Sequence, residues 1–437
     1  VNTINSLFGY VALTANCLLL GSAYQIAPMD LAIMSIVMSI LNLVKTPFIS
    51  MLVDNTNTKY GKFRPYLLIT GVPTAALLIL MAFIPNSLSY PLKCTMLSLI
   101  YALLMIFQSL YALAFTSLAQ VLTPNGEERT GLLSVSQFIY SLGPSIVNLF
   151  FPILAGLFAG GMTGFTAYRT LFPIFSVFGI ILSLWTFKGT EEKIVVPRNY
   201  VAKVRFVDGI SEIKSNKYFW LMTLYNVLGG LKGGIGGILA WYCIYVVRSD
   251  AVLGVMNAVI GTASVPGMLL APLLAKKIGK RSSLIWFNLL RAGFAGLMLV
   301  TTKSPFLFLA CLYLSTAAIG GDGVMVSAMT ADVFDYQQWK TGKRLEGFIT
   351  QFSGMLVTAA TMLFNLILPW FYEHYGLEKD YTVLFQEAVR TPIFNIMIIT
   401  TVISCLAAVI PILFYDMTEK KQAEIIADLK ERAEAEI

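Results

Sequence analysis

Long runs of apolar residues, separated by short polar segments, extend from the start of the chain to about residue 415. The hydrocarbon core of a bilayer requires about 20 apolar residues in a spanning helix, and each run reaches that length. Strands of a membrane barrel alternate polar and apolar positions over about 10 residues, whereas these runs are continuously apolar. The pattern therefore predicts an all-α integral membrane protein with twelve transmembrane helices. The predicted spans are 1–25, 28–53, 65–86, 91–122, 131–160, 166–187, 217–247, 251–275, 282–302, 304–331, 345–372 and 391–415.

The longest polar stretch between these runs, residues 188–216, leaves six predicted helices on either side. This spacing predicts an N-terminal six-helix bundle over 1–187 and a C-terminal six-helix bundle over 217–415, joined by a cytoplasmic linker. Two such repeats, with a ligand site between them near the membrane midplane, are a recurrent plan among transporters. The charged segment 416–437 predicts a short cytoplasmic tail helix, either solvated or bound to a partner.

The composition and the placement of charge agree with a membrane location. Of 437 residues, 57% are hydrophobic and 13% are charged, whereas soluble domains carry about 25% charged residues. Lys and Arg concentrate in alternate loops, such as 59–64, 276–281 and 340–344, and cytoplasmic loops are the ones enriched in these residues. We therefore predict a multi-pass protein of the cell (inner) membrane with both termini cytoplasmic. We expect the first run to be a spanning helix that lacks a few leading residues, because it is too long for a cleaved signal peptide.

Several function classes are disfavoured by the sequence. The basic residues are spread over membrane-edge loops without a separate basic domain, so the net charge of +7 does not indicate nucleic-acid binding. The five cysteines lie within or at the ends of apolar runs and show no metal-binding spacing, and His374 is the single histidine, so we expect no metal site and no cofactor. There is no Walker loop and no nucleophile, base and metal set in the spans, so we expect no enzyme. The expected partners are a small-molecule substrate and membrane lipid, and we expect a monomer.

Two loop segments carry a family resemblance. The segment 54–71, DNTNTKYGKFRPYLLITG, and the segment 331–347, ADVFDYQQWKTGKRLEG, lie after the second and tenth predicted helices, and LTPNGEERTGL at 122–132 is a weaker match. These segments resemble the glycoside-pentoside-hexuronide:cation symporter family of the major facilitator superfamily, which includes melibiose permease. The resemblance implies a major facilitator fold, alternating access, and a central cavity that binds a sugar or sugar acid with sodium or a proton.

Charged residues in these loops are candidates for a cytoplasmic gate. Carboxylates at helix ends can meet basic loop residues or the positive end of a neighbouring helix. Such ion pairs can close the inner side and must break when the two halves move. Static capping of the loops is the alternative interpretation. The gate candidates are Asp54, Lys62, Arg64, Asp332, Asp335, Arg344 and Glu346.

Four ionisable residues stand out in the interior of the predicted spans: Lys45, Lys232, Arg291 and Asp322. Each costs about 2.5 to 3.5 kcal/mol on insertion scales, so such groups usually face a cavity or a partner. Three positive groups and one negative group leave two positive charges in excess. For Lys232 two interpretations stay open, because it can line a cavity or simply neutralise Asp322. Arg291 is interpreted as a structural pair or a residue near a helix end.

The chain departs from the family pattern at its charged positions. The resemblance places the two second-helix carboxylates that bind the coupling cation at Asn42 and Thr46, and the fifth-helix arginine at Gln137. None of these charged groups is kept, and Lys45 lies between the two vacated carboxylate positions. The other charged groups of the pattern fall at or near Ser6, Ala112 and Thr358, where none is kept either.

A fixed ammonium at Lys45 would supply the positive charge that a sodium ion supplies in the family, and it would repel sodium at short range. The hypothesis is that the carrier does not use the family's sodium site, and that a proton is the better candidate for a coupling ion. Alternatively, Lys45 attracts an anionic substrate directly. The structural alternative is that Lys45 snorkels or pairs with a carboxylate.

Neutral polar and aromatic residues complete the candidate substrate site. Aromatic rings stack on sugars or other planar ligands, although packing and interfacial roles are equally common for Trp and Tyr. The substrate-site candidates are Lys45, Asn42, Thr46, Gln137, Asn226, Lys232, Trp241, Tyr242, Asp322 and Gln351.

Three readings of function follow from these residues. The leading one is a secondary transporter or facilitator that moves a small polar organic solute, such as a glycoside, a sugar acid or another organic anion. The first alternative is a proton-coupled symporter of a neutral sugar, with the proton carried by Asp322. The second alternative is a lipid-handling or receptor-like membrane protein on the same fold.

Overall fold

The structure is a computed structural model that describes residues 18–54, 58, 61, 63–121, 146–158, 160–190, 213–342 and 346–435. Over these residues the chain is helical and contains no β-strand longer than one isolated bridge. The helices of the first half are α1 (Pro28–Asp54), α2 (Arg64–Phe83), α3 (Tyr90–Val121), α4 (Ile146–Phe158) and α5 (Phe165–Gly189).

The second half begins with α6 (Lys217–Leu228). A 3-10 helix over Gly229–Gly237, called the glycine segment below, follows it. A short α7 (Ile238–Trp241) comes next and continues as a π-helix over Tyr242–Val247. The remaining helices are α8 (Asp250–Gly261), α9 (Ser264–Ile278), α10 (Lys280–Thr301), α11 (Pro305–Thr341), α12 (Glu346–Phe364), α13 (Ile367–His374), a 3-10 turn over Tyr381–Phe385, α14 (Glu387–Leu413) and α15 (Glu419–Ala435).

Ten stretches of the described residues are helical, long and apolar enough to cross a membrane. They coincide with ten of the twelve predicted spans, all except the first and the fifth. The first predicted span lies mainly on residues outside the described part, and the fifth is described only at its end, where α4 is apolar. The prediction of an all-α membrane protein is confirmed.

The outer face of α1 illustrates why a bilayer must surround these helices. Ile33, Val37, Ile40 and Val44 follow one another at the three- to four-residue spacing of a helix face, and about half of each side chain is exposed. A contiguous apolar face of this kind is costly in water and is satisfied by lipid.

Local sequence signals explain several helix ends. Pro28 and Asp30 begin α1, since proline suits the first turn and a carboxylate favours the positive end of the helix. The side chain of Asn216 caps α6 by accepting a hydrogen bond from the Phe219 amide over 3.1 Å. Gly342 ends α11 in the left-handed region, at φ 70°.

The seventh predicted span is not a continuous α-helix. Its middle, GGLKGGIGG, has six glycines among nine residues. Each glycine costs about 1 kcal/mol relative to alanine in a helix interior. The chain therefore winds into the tighter 3-10 form there, and such a mid-helix stretch often marks a functional hinge. The break turns the backbone and side chain of Lys232 toward α10 and α11.

Two compact units are distinguished by their internal contacts. Unit 1 comprises Val1–Tyr200, Gly237–Ala258 and Pro369–Arg390, and unit 2 comprises Val201–Gly236, Val259–Leu368 and Thr391–Ile437. The tail helix α15 belongs to unit 2 and packs on α11. The division of the chain into two six-helix bundles stays a prediction.

Backbone contact between α9 and α11 anchors unit 2. A Cβ atom added to Gly267 would lie 1.9 Å from the Ala317 carbonyl oxygen, and one added to Gly320 would lie 1.9 Å from the Ser264 carbonyl oxygen. Only glycine permits this approach, which is typical of helix pairs in membranes, where small residues let backbones meet. The crossing holds α11 firmly just before Asp322.

Candidate functional site

A buried polar cluster in unit 2 joins three helices and the glycine segment. Lys232 donates from Nζ to the Tyr225 hydroxyl over 2.8 Å, and the same hydroxyl donates to Asp322 Oδ1. The direct distance from Lys232 Nζ to Asp322 Oδ1 is 3.8 Å. The phenol of Tyr225 therefore bridges the ion pair.

Asn288 on α10 completes the contacts of the carboxylate. Its Nδ2 atom lies 2.8 Å from Asp322 Oδ1 and 2.9 Å from the Tyr225 hydroxyl. Asn288 and Tyr225 are each 1% exposed. Nearly every polar atom of this cluster is satisfied from within unit 2, which is the condition for keeping charge inside a membrane protein.

Arg291 brings a second cation to the cluster. Its Nη2 atom donates to the Lys232 carbonyl oxygen over 2.6 Å, so the arginine holds the backbone of the glycine segment. Its Nε atom is buried and has no hydrogen-bond partner among the described residues. The sequence-based interpretation of Arg291, either a structural pair or a position near a helix end, does not anticipate this contact with the backbone.

A cleft of about 530 Å³ opens beside the cluster, also within unit 2. Its walls come from α6, α11, α12 and the first residues of the glycine segment. Among its described lining residues, none carries a formal charge, and the polar ones are hydroxyls and one amide. They are Thr223, Asn226, Thr330, Thr350, Ser353 and Thr358.

Lys45 on α1 lies in unit 1 and is buried, with 6% of its surface exposed. Its ammonium donates to the Met105 carbonyl oxygen over 2.8 Å and to Ser109 Oγ over 2.5 Å, both on α3. Ser109 also donates to the Met105 carbonyl over 2.8 Å. Among the residues that the structure describes, no carboxylate pairs with Lys45, so the positive charge is held by neutral acceptors.

The other predicted substrate-site residues are distributed as follows. Asn226 lies in the cleft wall, while Asn42 and Gln351 lie at exposed positions of α1 and α12. Trp241 and Tyr242 are buried in unit 1, and the Trp241 ring packs against the Tyr372 and Tyr381 rings at centroid distances of 5.5 and 6.2 Å. The side chain of Thr46 and the whole of Gln137 lie outside the described residues.

The gate candidates that the structure describes have partners within their own unit. Arg64 donates to the Phe187 carbonyl oxygen over 2.7 Å and lies 4.9 Å from the Phe187 ring centroid. Asp332 accepts hydrogen bonds from Lys280 and from Gln422 of the tail helix. Asp335 lies half-buried on α11, the helix that also carries Asp332. The side chains of Asp54, Lys62, Arg344 and Glu346 lie outside the described part.

Sequence reasoning missed several members of these networks. Tyr225 and Asn288 are neutral residues in apolar spans, and Lys280 and Gln422 look like ordinary loop and tail residues. The candidates were chosen by charge inside a span and by a few neutral polar and aromatic residues, and neither choice included Tyr225 or Asn288. The spacing of Tyr225 and Lys232, seven residues or two helical turns apart, is a signal that could have found the phenol.

Outside the membrane spans, Asp416 lies between α14 and α15. It accepts hydrogen bonds from Lys217 Nζ and from the Tyr218 hydroxyl, each over 2.7 Å. The hydrogen bond from Lys217 is the largest cause that lowers the pKa of the Asp416 carboxyl to about 2. This pair fastens the start of α6 to the segment that leads into the tail helix.

The described residues contain no group of three or more His, Cys, Asp and Glu side chains that could hold a metal ion. The four described cysteines, Cys94, Cys243, Cys311 and Cys405, are free thiols, and the last three are buried.

Comparisons with known proteins bear on these sites. The sequence profile of a family described as MFS/sugar transport protein matches residues 14–419. An isoprimeverose transporter of Lactiplantibacillus pentosus is 26% identical over 315 residues, which cover 70% of this chain and 64% of that protein. A glucuronide carrier protein homolog of Escherichia coli (strain K12) is 25% identical over 414 residues, which cover 88% and 84%.

The fold is also found among solved structures. A bacterial homologue of the iron transporter ferroportin, in an inward-facing state, superimposes with a TM-score of 0.62, 14% sequence identity and coverage of 95% of each chain. At this identity the likeness concerns the fold alone.

Proposed function

This chain belongs to the MFS/sugar transport protein family, as the loop motifs predicted, and is a secondary transporter of a small polar solute; on that premise we propose that its cargo is a neutral glycoside. We further propose that it works without the sodium site of its symporter relatives. The cleft in unit 2 provides part of the solute site, and Lys45 occupies the place of the diffusible cation.

The observation that carries the proposal is the lining of the cleft. Hydroxyl and amide side chains can donate and accept hydrogen bonds in turn, which matches the alternating groups of a polyhydroxylated ligand. Phe219 and Met222 add apolar surface for the faces of the sugar ring. A cleft of about 530 Å³ falls within the range of roughly 300 to 1,000 Å³ that small-molecule sites occupy.

The argument against sodium rests on Lys45. Hard cations such as sodium need several oxygen ligands, and an ammonium held in the same region repels them by about 4 kcal/mol at 4 Å in an effective dielectric near 20. The Met105 carbonyl and Ser109 hydroxyl, both cation ligands by nature, are already bound to the ammonium. A permanently bound cation leaves no need for a diffusible one there.

A second candidate cargo is an anionic sugar. Lys45 and Arg291 are buried, and neither pairs with a carboxylate among the described residues. This excess of positive charge favours a negatively charged solute. A glucuronide carrier homolog among the relatives agrees with this candidate, as an isoprimeverose transporter agrees with the neutral one.

The proposed orientation follows the distribution of Lys and Arg in the loops, and it places both termini in the cytoplasm of a cell whose inner membrane holds the chain. Asp332, Lys280 and the tail helix then lie at the cytoplasmic edge. We propose that this network belongs to the inner gate, in the role first assigned to the loop charges.

Counterflow in proteoliposomes tests the proposal. Purified protein is reconstituted with unlabelled sugar inside, and uptake of labelled isoprimeverose or a labelled glucuronide is followed in sodium buffer and in sodium-free potassium buffer. We expect isoprimeverose exchange at the same rate in both buffers. Exchange of the glucuronide alone selects the second candidate. Exchange that requires sodium, or no exchange of either sugar, contradicts the proposal.

A further inference from the structure

We propose that a groove between the start of α6 and the end of α14 binds an anionic phospholipid, with its head group on lysines and its acyl chain on an apolar wall. The groove lies within unit 2 and is lined by a different set of residues from the cleft. The chemistry of the ligand follows from the groove alone. Only the leaflet, the cytoplasmic one, follows from the orientation proposed above.

The wall of the groove is apolar and open. The groove has a volume of about 470 Å³, and Trp220, Leu221 and Leu224 of α6 line it together with Phe414, which directly follows α14. Trp220, Leu224 and Phe414 are exposed, and 69% of the surface of Phe414 is accessible. Apolar side chains that remain exposed on membrane-spanning helices are satisfied by lipid tails. An acyl chain is therefore the natural cover for this wall.

One end of the groove is basic. Lys214 and Lys217 line it, and both are exposed. The ammonium of Lys217 lies 2.7 Å from Asp416 Oδ2, whereas the ammonium of Lys214 has no hydrogen-bond or ion-pair partner among the residues that the structure describes. A free ammonium beside an apolar wall at the membrane edge is complementary to a lipid with a negatively charged head group.

Two further lysines add positive charge around this end. Lys340 donates from Nζ to the Ser215 carbonyl oxygen over 2.7 Å, and Lys421 donates from Nζ to the Tyr218 hydroxyl over 2.8 Å. Within this set of described contacts, four lysines are offset by one carboxylate, that of Asp416. A zwitterionic head group has no net charge and gains little from this excess. An anionic head group gains from every lysine near it.

The spacing along α6 suits a lipid that lies along the helix. Leu224 follows Lys217 by seven residues, which is a rise of about 10 Å. Trp220 lies between them, and its Nε1 atom donates to the Lys214 carbonyl oxygen over 3.2 Å. This bond fixes the indole where the basic end meets the apolar wall, the level at which tryptophan is enriched in membrane proteins. Free phosphate would use the lysines only, whereas a lipid uses both parts of the groove.

Quenching of Trp220 fluorescence by brominated lipids tests the site in the purified full-length protein. The protein in neutral detergent micelles receives brominated phosphatidylglycerol or brominated phosphatidylcholine, and the Trp220 signal is the fluorescence that is lost in Trp220→Phe. We expect half-maximal quenching at an amount of phosphatidylglycerol at least about fivefold lower, because each lysine near an anionic lipid contributes about that factor. Equal quenching of Trp220 by the two lipids overturns the proposal.

Charge variants test the role of Lys214. We expect Lys214→Gln to reduce the preference for phosphatidylglycerol about fivefold and Lys214→Arg to retain it. The matched control is Lys276→Gln, which removes an exposed lysine from the last turn of α9, away from the groove. A preference that survives Lys214→Gln, or that falls equally in Lys276→Gln, contradicts the assignment. If a variant does not fold, the comparison of the two lipids on the wild type still decides.

Inorganic phosphate separates a lipid site from a site for a free anion. Phosphate added to protein already quenched by phosphatidylglycerol should have no more effect than chloride at the same ionic strength, because it cannot cover the apolar wall. Recovery of Trp220 fluorescence with phosphate, beyond that with chloride, would assign the groove to a free anion and refute the lipid. No sugar enters these measurements, so they stand or fall separately from the proposed transport.

Discussion

Lys280, the first residue of α10, donates to both carboxylate oxygens of Asp332 on α11, each over 2.8 Å. Gln422 of the tail helix donates to the same carboxylate and accepts from Lys280 over 2.6 Å. Asp332 is 3% exposed, so it forms the buried centre of a three-way contact. The tail helix is thereby fastened to two helices of unit 2.

The first prediction concerns this contact. Asp332→Asn removes the negative charge and leaves the Lys280 ammonium partly buried without its carboxylate. We expect the free energy of unfolding to fall by about 1 to 3 kcal/mol. This loss is smaller than that for a fully buried ion pair, because Lys280 is partly solvated. Thermal unfolding in detergent and limited proteolysis of the tail measure the effect. The control is Asp428→Asn, whose carboxylate binds Arg432 and Trp339 at the exposed edge of α15. Equal proteolysis in both variants would argue against a central role for Asp332.

The second prediction separates the charge of Lys45 from its hydrogen bonds. Lys45→Ala removes the ammonium between α1 and α3, and we expect sugar exchange to fall by about tenfold or more, the factor that corresponds to about 1.4 kcal/mol. Counterflow measures the rate.

The matched control for Lys45→Ala is Ser109→Ala, which keeps the ammonium and its bond to the Met105 carbonyl. We expect a smaller loss in that variant. An unchanged exchange rate in Lys45→Ala would contradict the proposal that Lys45 takes the place of the diffusible cation.

The third prediction concerns the cleft. Asn226→Leu replaces a hydrogen-bonding amide in the cleft wall with an apolar side chain of similar size, and we expect isoprimeverose affinity to fall by about 1 to 3 kcal/mol, the usual cost of an unpaired polar group. The KM for exchange measures the change.

The control for Asn226→Leu is Ser327→Ala. Ser327 is exposed on α11, and its hydroxyl donates to the Gly323 carbonyl of its own helix. Its removal should leave the KM unchanged. An equal KM in Asn226→Leu and the wild type would place the solute elsewhere.

The fourth prediction compares two glycines. Gly267→Ala places a methyl group 1.9 Å from the Ala317 carbonyl oxygen, and such overpacking costs about 1 to 3 kcal/mol or more. Gly293→Ala on α10 meets no atom within 4 Å and should be neutral or slightly stabilising, because alanine favours helix by about 1 kcal/mol. Thermal unfolding of both variants gives the comparison, and similar melting temperatures would refute the close crossing of α9 and α11.

The fifth prediction is a pH dependence. Because Lys217 and Tyr218 lower the pKa of Asp416 to about 2 from its ordinary value of 3.8, the folded protein binds this proton less readily than the unfolded chain. The stabilisation from Asp416 is therefore complete above about pH 4 and is lost as the pH falls toward 2. Comparison of unfolding temperatures for Asp416→Asn and the wild type across this range checks the sign. The wild-type advantage should shrink on acidification, and a growing advantage would contradict the assignment.

The amino-acid sequence alone allowed the membrane class, ten described spans and the family to be predicted. Continuous apolar runs can be satisfied only by helices in lipid, and the GKFRP and TGKRLEG loops carry specific residues at specific places. The glycine run within the seventh span is visible in the sequence, and its low helix propensity accounts for the break that the structure shows there.

The partners of the buried charges were decided by the tertiary structure. Lys232 and Asp322 are separated by 90 residues in the numbering, and their pairing through Tyr225 depends on how far α6, α10 and α11 are rotated about their axes. In a soluble helix an apolar stripe reveals that rotation, but in a bilayer both the lipid face and the packed face are apolar. Hydropathy therefore locates a membrane helix along the chain, and only the packing of small residues, as between Gly267 and Gly320, sets which side chains meet.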